Sequence, residues 1–390
     1  MFRLKSTFWN VLVPLFFVYF FLHIGVTTWR LFQVDTTRIG YENLKDGPLL
    51  LKPGKHVKKN GNVIEAIGYG KLSALGFSGG KKKKRKPKVV QPVLPVKDEG
   101  IPEISEAVKT TLVSEARKIV ARAANSSSSS FIYFAMINKA YERMTLNWIC
   151  NTALMDNVHN RTLIVSMDGS VCTAIRSQWD ETVKCVSLGL DNYKQGYDWG
   201  RQQYINILTL RANLMHLLTS SDIPYVLFET DATWFRDPTE TFANRTDTFE
   251  DFDIIVPVKG YDGGKWDTLA FDPMLVQPSD GAKAFTNEMK ERLNNDTTLY
   301  DQDVMNQLCA SQHNGLICRR FEYEQVADGK WFKMEETSRT VPLILNNNFN
   351  SGTRNKETRQ ALNGLWFLAT KTDQCVVSKV SAFMKKHRVA

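Results

Sequence analysis

The sequence predicts an α/β domain around a mainly parallel sheet, and three observations predict it. From residue 131 onward, short apolar runs alternate with segments of helical period, the pattern of consecutive βαβ units. The run Tyr225-Val-Leu-Phe228 reads as a short buried strand, followed at once by two carboxylates, Glu229 and Asp231. Behind them, Asp237-Pro238 with Glu240 three residues past the aspartate has the form of a helix start. Strand, acidic turn and helix in that order put polar groups at the carboxyl end of a strand, where open α/β sheets bind their ligands.

Taken in order, the chain opens with Phe8 to Val26, almost wholly apolar, with Asn10, Pro14 and His23 as interruptions. The length is close to the roughly 20 residues that a membrane-spanning helix needs. Arg3 and Lys5 precede it and favour a cytosolic N-terminus, although Arg30 and Arg38 on the far side weaken the asymmetry. A cleaved signal peptide is the alternative; no small-x-small cleavage site follows the run, and the run is long for such a peptide. Trp29 to about Gly100 shows no periodic core and contains Lys81-Lys-Lys-Lys-Arg85-Lys-Pro-Lys88. This reads as a solvated stem, with contact to anionic glycan or lipid, or cleavage at the basic run, as other readings. The expected division is a cytosolic tail over 1–7, a transmembrane signal-anchor over 8–28, a basic stem over 29–102 and a globular domain over 103–390.

Glu103 to Ala123 carries apolar residues at helical spacing, and the serine run Ser126 to Ser130 then breaks the chain. Phe131 to Met136 reads as the first strand, Lys139 to Met155 as a helix, Thr162 to Met167 as the second strand and Val183 to Leu188 as the third. Gln202 to Leu218 is a helix with Ile205, Leu208, Leu214 and Leu218 on one face, and the Tyr225 strand follows. Ile254 to Val258 is a further apolar run.

Three acidic pairs compete as ligands of a divalent cation carrying a diphosphate. Asp251 and Asp253 precede their strand, at the wrong end, and Asp301 and Asp303 open a helical run. Only Glu229 and Asp231 follow a strand; solvated turn residues are the bland reading of that pair. Asn138 and Asp168 follow the first and second strands and would face the same crevice in a parallel sheet. A helix cap at Asn138 and an ordinary Asp-Gly turn at Asp168 are the rival readings.

Phe-Glu-Thr-Asp-Ala-Thr-Trp-Phe-Arg-Asp-Pro, from Phe228 to Pro238, resembles the D-x-D-x-x-W-x-R-D-P segment of nucleotide-diphospho-sugar transferases related to glycosyltransferase family 77. The resemblance runs from about Phe131 to about Phe367. It implies a GT-A fold, Rossmann-like with flanking helices, in a luminal domain behind the transmembrane helix and stem. It also implies a divalent cation, manganese by preference, held by Asp231 and Glu229, with Glu229 in place of the family's first aspartate. Asn346-Asn-Asn348-Phe-Asn-Ser-Gly352-Thr-Arg-Asn-Lys356 resembles the late H-x-N-x-x-x-G-x-x-x-K segment. There Asn348, Gly352 and Lys356 match and Asn346 replaces a histidine that completes the metal shell in many members. The resemblance directs Asn138 and Asp168 to the nucleoside, Arg211 and Lys356 to the donor phosphates, and Asp301 and Gln302 to the side where donor sugar and acceptor meet. A surface role for Arg211 and a helix cap for Asp301 are the alternatives.

The net charge of +9 is concentrated in the stem run, so it says little about the folded domain, and nucleic acid is not an expected partner. Six cysteines without a C-x-x-C pair make a structural zinc site unexpected. They fit up to three disulfides in an oxidising compartment, or buried thiols, with the pairing open. Sequons at Asn125, Asn160, Asn244 and Asn295 fit a luminal domain. The expectation is a single-pass type II Golgi membrane glycosyltransferase, retaining by resemblance, that moves a sugar from a UDP-sugar to a protein or glycan acceptor. A silent descendant that still binds nucleotide sugar or glycan, and a membrane-tethered basic interaction protein, are the other classes.

Overall fold

The structure is a computed structural model and describes residues 100–126, 130–197, 200–248, 251–260 and 268–387. The expected anchor at 8–28, the stem with its basic run, and most of the serine run lie outside the described residues. Among the described residues no helix is long and apolar enough to cross a membrane.

The described elements, in chain order, begin with α1 (Glu106–Ser126), β1 (Ile132–Ile137), α2 (Glu142–Asn151), β2 (Thr162–Ser166), α3 (Gly169–Trp179), β3 (Lys184–Ser187) and α4 (Gln202–Ser220). Then come β4 (Tyr225–Leu227), β5 (Thr233–Trp234), α5 (Thr239–Thr248), β6 (Ile254–Pro257), β7 (Met274–Val276), α6 (Asp280–Asn295) and α7 (Asp301–Ala310). The last are β8 (Cys318–Phe321), β9 (Val326–Ala327), β10 (Ile344–Leu345), α8 (Thr353–Leu362) and α9 (Val377–His387).

The main sheet runs β3-β2-β1-β4-β7-β6-β8. Strands β3, β2, β1 and β4 are parallel, as the βαβ pattern predicts. Among the described strands of this sheet only β7 is reversed, antiparallel to both β4 and β6, while β6 and β8 pair in parallel. Successive residues of β1 face opposite layers. Tyr133, Ala135 and Ile137 join one buried cluster with Trp148, Phe228 and Trp234. Ile132 and Phe134 join another, with Leu112, Ala116 and Ile119 of α1 and Leu214 and Leu218 of α4. Helix α1 therefore packs on the sheet although it precedes the serine run.

One predicted helix is shorter than its pattern. Lys139 to Met155 becomes a 3-10 turn, Lys139–Tyr141, followed by α2. Helix α2 ends at Asn151, with Thr152 at its C-cap, where the backbone leaves the helical region (φ −94°, ψ 5°). All six cysteines are paired: Cys150–Cys375, Cys172–Cys185 and Cys309–Cys318. Of the sequon asparagines, Asn160 and Asn295 are exposed.

Candidate functional site

The parallel register brings the site residues to one edge. Ile132 pairs with Tyr225 and Phe134 with Leu227, so β1 and β4 run side by side. Asn138 then emerges directly after β1, Asp168 two residues after β2 and Glu229 two residues after β4. Behind the acidic turn lies an aromatic packing unit. Trp148 stacks on Phe228 at 4.4 Å and meets Trp234 edge-on at 5.1 Å. Asn151 clamps Trp234 by accepting from its backbone N (2.7 Å) and donating to its O (3.0 Å). The predicted cap also forms: Asp237 Oδ1 accepts from Thr239 N at 2.9 Å.

A second, small sheet, β5-β10-β9, brings the late segment to the acidic turn. Leu345 pairs with Thr233, and continuing that antiparallel register sets Asn346 opposite Ala232, one residue from Asp231. The loop that follows is fastened from below. Asn347 Oδ1 accepts from Arg359 Nε at 2.7 Å, and Asn348 O accepts from Arg359 Nη2 at 2.6 Å. Asn348 Oδ1 accepts from Gly329 N at 2.6 Å. A Cβ on Gly329 would stand 2.0 Å from Asn348 O, so no larger residue fits there. Gly352, at φ 82, turns the chain into α8.

Two cations face the acidic turn, Lys356 buried and Arg211 largely so. Arg211, from α4, donates Nη1 to Glu229 Oε1 at 2.9 Å and Nε to Asp301 Oδ2 at 3.0 Å, and lies 4.5 Å from the Phe271 ring centre. Lys356, from α8, pairs with Asp231 Oδ2 and reaches Tyr141 Oη at 3.4 Å. Burial disfavours the charge on Glu229, but Arg211 and Lys356 outweigh it and hold the carboxyl below its usual range. Asp231, 1% exposed, is pushed up by burial despite Lys356. Burial, together with the charges of Glu229 and Asp231, drives Asp272 well above its usual range.

The other predicted residues fall into place around this pair. Asn138 stands where a helix cap would, but its side chain does not cap; it donates to Gln195 O at 2.7 Å. Asp168 caps α3 through Ser170 N (2.6 Å) and pairs with Lys194 at 3.0 Å, so the turn reading accounts for its contacts. Asp301 is the first residue of α7, whose cap position is Tyr300, so the cap reading does not hold; its Oδ1 accepts from Gln302 N (2.8 Å) and its Oδ2 from Arg211. Asn346 donates to Asp272 O at 2.6 Å, and its buried Oδ1 has no hydrogen-bond partner. Asp253, of the rejected pairs, is a structural anchor for Ile317 N at 2.7 Å and for Ser279.

Two adjoining hollows use these groups. An inner cavity of about 130 Å³ is lined by Asn138, Tyr141, Met167, Tyr204, Arg211 and Glu229, with Lys356 at its edge. An outer cleft of about 430 Å³ shares Tyr141, Arg211, Glu229 and Lys356 and adds Asp272, Asp301, Gln302, Asn348 and Gly352. Asp168, Asp231 and Asn346 line neither hollow. Sequence reasoning missed Asp272, Tyr141 and Tyr204. The one signal for Asp272 was its place in Phe271-Asp272-Pro273 just ahead of an apolar run. Among the described residues no group of three or more His, Cys, Asp or Glu side chains is arranged to hold a metal ion.

Fold and site together define a mixed α/β protein with a polar crevice of paired acids and bases at the carboxyl ends of parallel strands. A family model for nucleotide-diphospho-sugar transferases matches residues 157–360 of the 390. The chain belongs to that family. A solved structure of mouse xyloside xylosyltransferase 1, in its apo form, aligns at TM-score 0.38 and 13% identity, over 56% of this chain and 98% of that one. No curated protein matches the sequence.

Proposed function

We propose that this transferase has a GT-A domain that binds a UDP-sugar across the inner cavity and outer cleft and passes its sugar to a hydroxyl in the cleft. The observation that carries the reading is the shared wall: Tyr141, Arg211, Glu229 and Lys356 line both hollows, so a ligand spanning them passes both cations. Arg211 and Lys356 would bind the diphosphate and stabilise the charge that grows on it as the glycosidic bond breaks. Asn138 would take the nucleoside, in the deeper hollow. Gln302 would orient the acceptor, and Asp301, tied to Arg211, would hold that guanidinium in place.

A divalent cation, manganese by preference, is part of the same proposal, and two observations support it. Asn346 Oδ1 is an orphaned amide oxygen beside the acidic turn, and three carboxyls, Glu229, Asp231 and Asp272, crowd one another electrostatically. Asp231, Glu229 and Asn346 would hold the ion, and Lys356 must leave Asp231 for it to bind. When bound, the ion supplies Lewis-acid neutralisation of the diphosphate. Retention of anomeric configuration belongs to the same proposal. So does a type II Golgi topology, which three disulfides and exposed Asn160 and Asn295 support.

The test is UDP release from a panel of UDP-sugars by the full-length protein, with and without manganese, alongside titration of UDP. Release that needs both sugar and protein is expected. UDP binding without turnover would favour the silent-descendant reading, which the Lys356–Asp231 pair also supports. Absence of UDP binding in either condition would sink the proposal.

A further inference from the structure

Phe349 is the most exposed of the aromatic residues that line the outer cleft; Tyr141, Tyr197, Tyr204 and Tyr300 are only partly exposed. Phe349 is 46% exposed, whereas Phe228, Phe235 and Phe271 are buried. Its backbone sits at φ 54, in the left-handed region that a bulky residue seldom adopts. The exposure is not that of a loose loop tip. On its N-terminal side Asn347 and Asn348 are fastened by Arg359 and Gly329, and on its C-terminal side Gly352 opens α8. A pinned loop thus holds a large apolar ring in water, in a backbone conformation that costs stability. Such an outlier points to a use for the ring.

The surroundings say what would cover it. Phe349 lines the outer cleft together with Tyr300, Gln302, Asp303 and its own neighbours Asn350 and Ser351, and the Lys330 ammonium lies 5.7 Å from its ring centre. One flat apolar face ringed by amide, hydroxyl and carboxylate groups is complementary to a pyranose ring. A pyranose shows carbon-bound hydrogens on one face and hydroxyls around its rim, and an aromatic face attracts such polarised hydrogens. From this we infer that Phe349 is the stacking platform for a sugar ring of the acceptor, so that the acceptor is a glycan. The inference rests on the proposed transferase reading for the cleft's role, and it narrows the acceptor to carbohydrate. Phe349 acts here as a specificity-determining residue: it selects and positions the acceptor and takes no part in bond breaking.

The experiment uses the full-length protein and a panel of methyl glycopyranosides, observed by saturation-transfer NMR in the presence of UDP, with UDP affinity followed separately by calorimetry. Saturation is expected on the carbon-bound ring protons of at least one glycoside. Phe349→Ala should weaken that glycoside about tenfold, the scale of losing one apolar stacking contact. Phe349→Trp should keep or strengthen it, and both variants should bind UDP like the parent. Equal glycoside affinity in Phe349→Ala would overturn the inference, as would a parent protein that binds UDP but no glycoside of the panel. A parent that fails to bind UDP while Phe349-dependent glycoside binding persists would sink the transferase reading and leave the sugar platform standing.

Discussion

Arg211 and Lys356 stand on opposite flanks of the same acidic turn, yet they are held differently. Arg211 is gripped by two carboxylates from separate elements, Glu229 after β4 and Asp301 at the start of α7, and it also packs on Phe271. Lys356 has one carboxylate, Asp231, and a long contact to Tyr141. A planar guanidinium that forks between two acids is fixed in place, whereas an ammonium on a flexible stem can change partner. The Arg211 flank therefore builds the crevice, and the Lys356 flank can respond to what enters it.

The largest effect is expected at the fixed flank. Arg211→Ala leaves Asp301 as a buried acid without its cation, and Glu229 as a partly exposed one, which should cost about 3 kcal/mol of stability. Thermal unfolding checks this, and Arg211→Lys should recover only part because the fork is lost. A wild-type melting temperature in Arg211→Ala would break the comparison. Asp231→Asn comes next. Under the proposed function it should lower turnover roughly 10²–10³-fold, the scale for removing one charge-stabilising group. It should also lower the melting temperature somewhat, because Lys356 loses its ion pair with Asp231.

Lys356→Ala sharpens the contrast. Loss of a charged hydrogen bond should cost about 1.5–3 kcal/mol, while under the proposed cation site manganese alone should bind more tightly by calorimetry because Asp231 is released. Unchanged manganese affinity would mean that Lys356 does not compete for that carboxylate. The smallest effect belongs to a third pair at the sheet edge, Lys194 and Asp168, whose lysine side chain is 49% exposed. Lys194→Ala should change stability by less than about 1 kcal/mol. Burial pushes Asp168 up, but bonds from Ser170 and Lys194 outweigh it and hold the carboxyl at about 2, against the ordinary 3.8. Because the folded value is the lower one, its contribution is present above the ordinary range and is lost as pH falls towards 2. Asp168→Asn should flatten that part of a melting-temperature profile against pH.

The first half of the sheet was legible in the sequence, and of the second half only β6, the apolar run from Ile254, was. Strands β1, β2 and β4 are apolar runs of buried residues followed by polar turns, and α4 keeps its helical face, so pattern alone finds them. Strand β7 has three residues and β10 two, too short for any period to register. Their pairing depends on partners far along the chain, Leu227 for Met274 and Trp234 for Ile344. In the site, pattern led to the residues at strand ends, Asn138, Asp168 and Glu229, because strand ends are a local property. It did not show that Lys356 lies on Asp231, that Arg211 joins Glu229 to Asp301, or that Asp272 crowds the turn. Those are tertiary pairings, set by where α8, α7 and β7 arrive.

The Cys150–Cys375 bridge joins residues 225 apart, and everything lining the outer cleft beyond Tyr141 lies between them. All of the outer cleft except Tyr141 thus lies in a single covalent loop. A protease that cuts once inside this loop produces no separable fragments until the bridge is reduced. A nicked molecule would run at full mass on a non-reducing gel and as two pieces after thiol treatment. The same tether would keep both severed parts of the crevice at high mutual concentration, so a nick need not silence the protein.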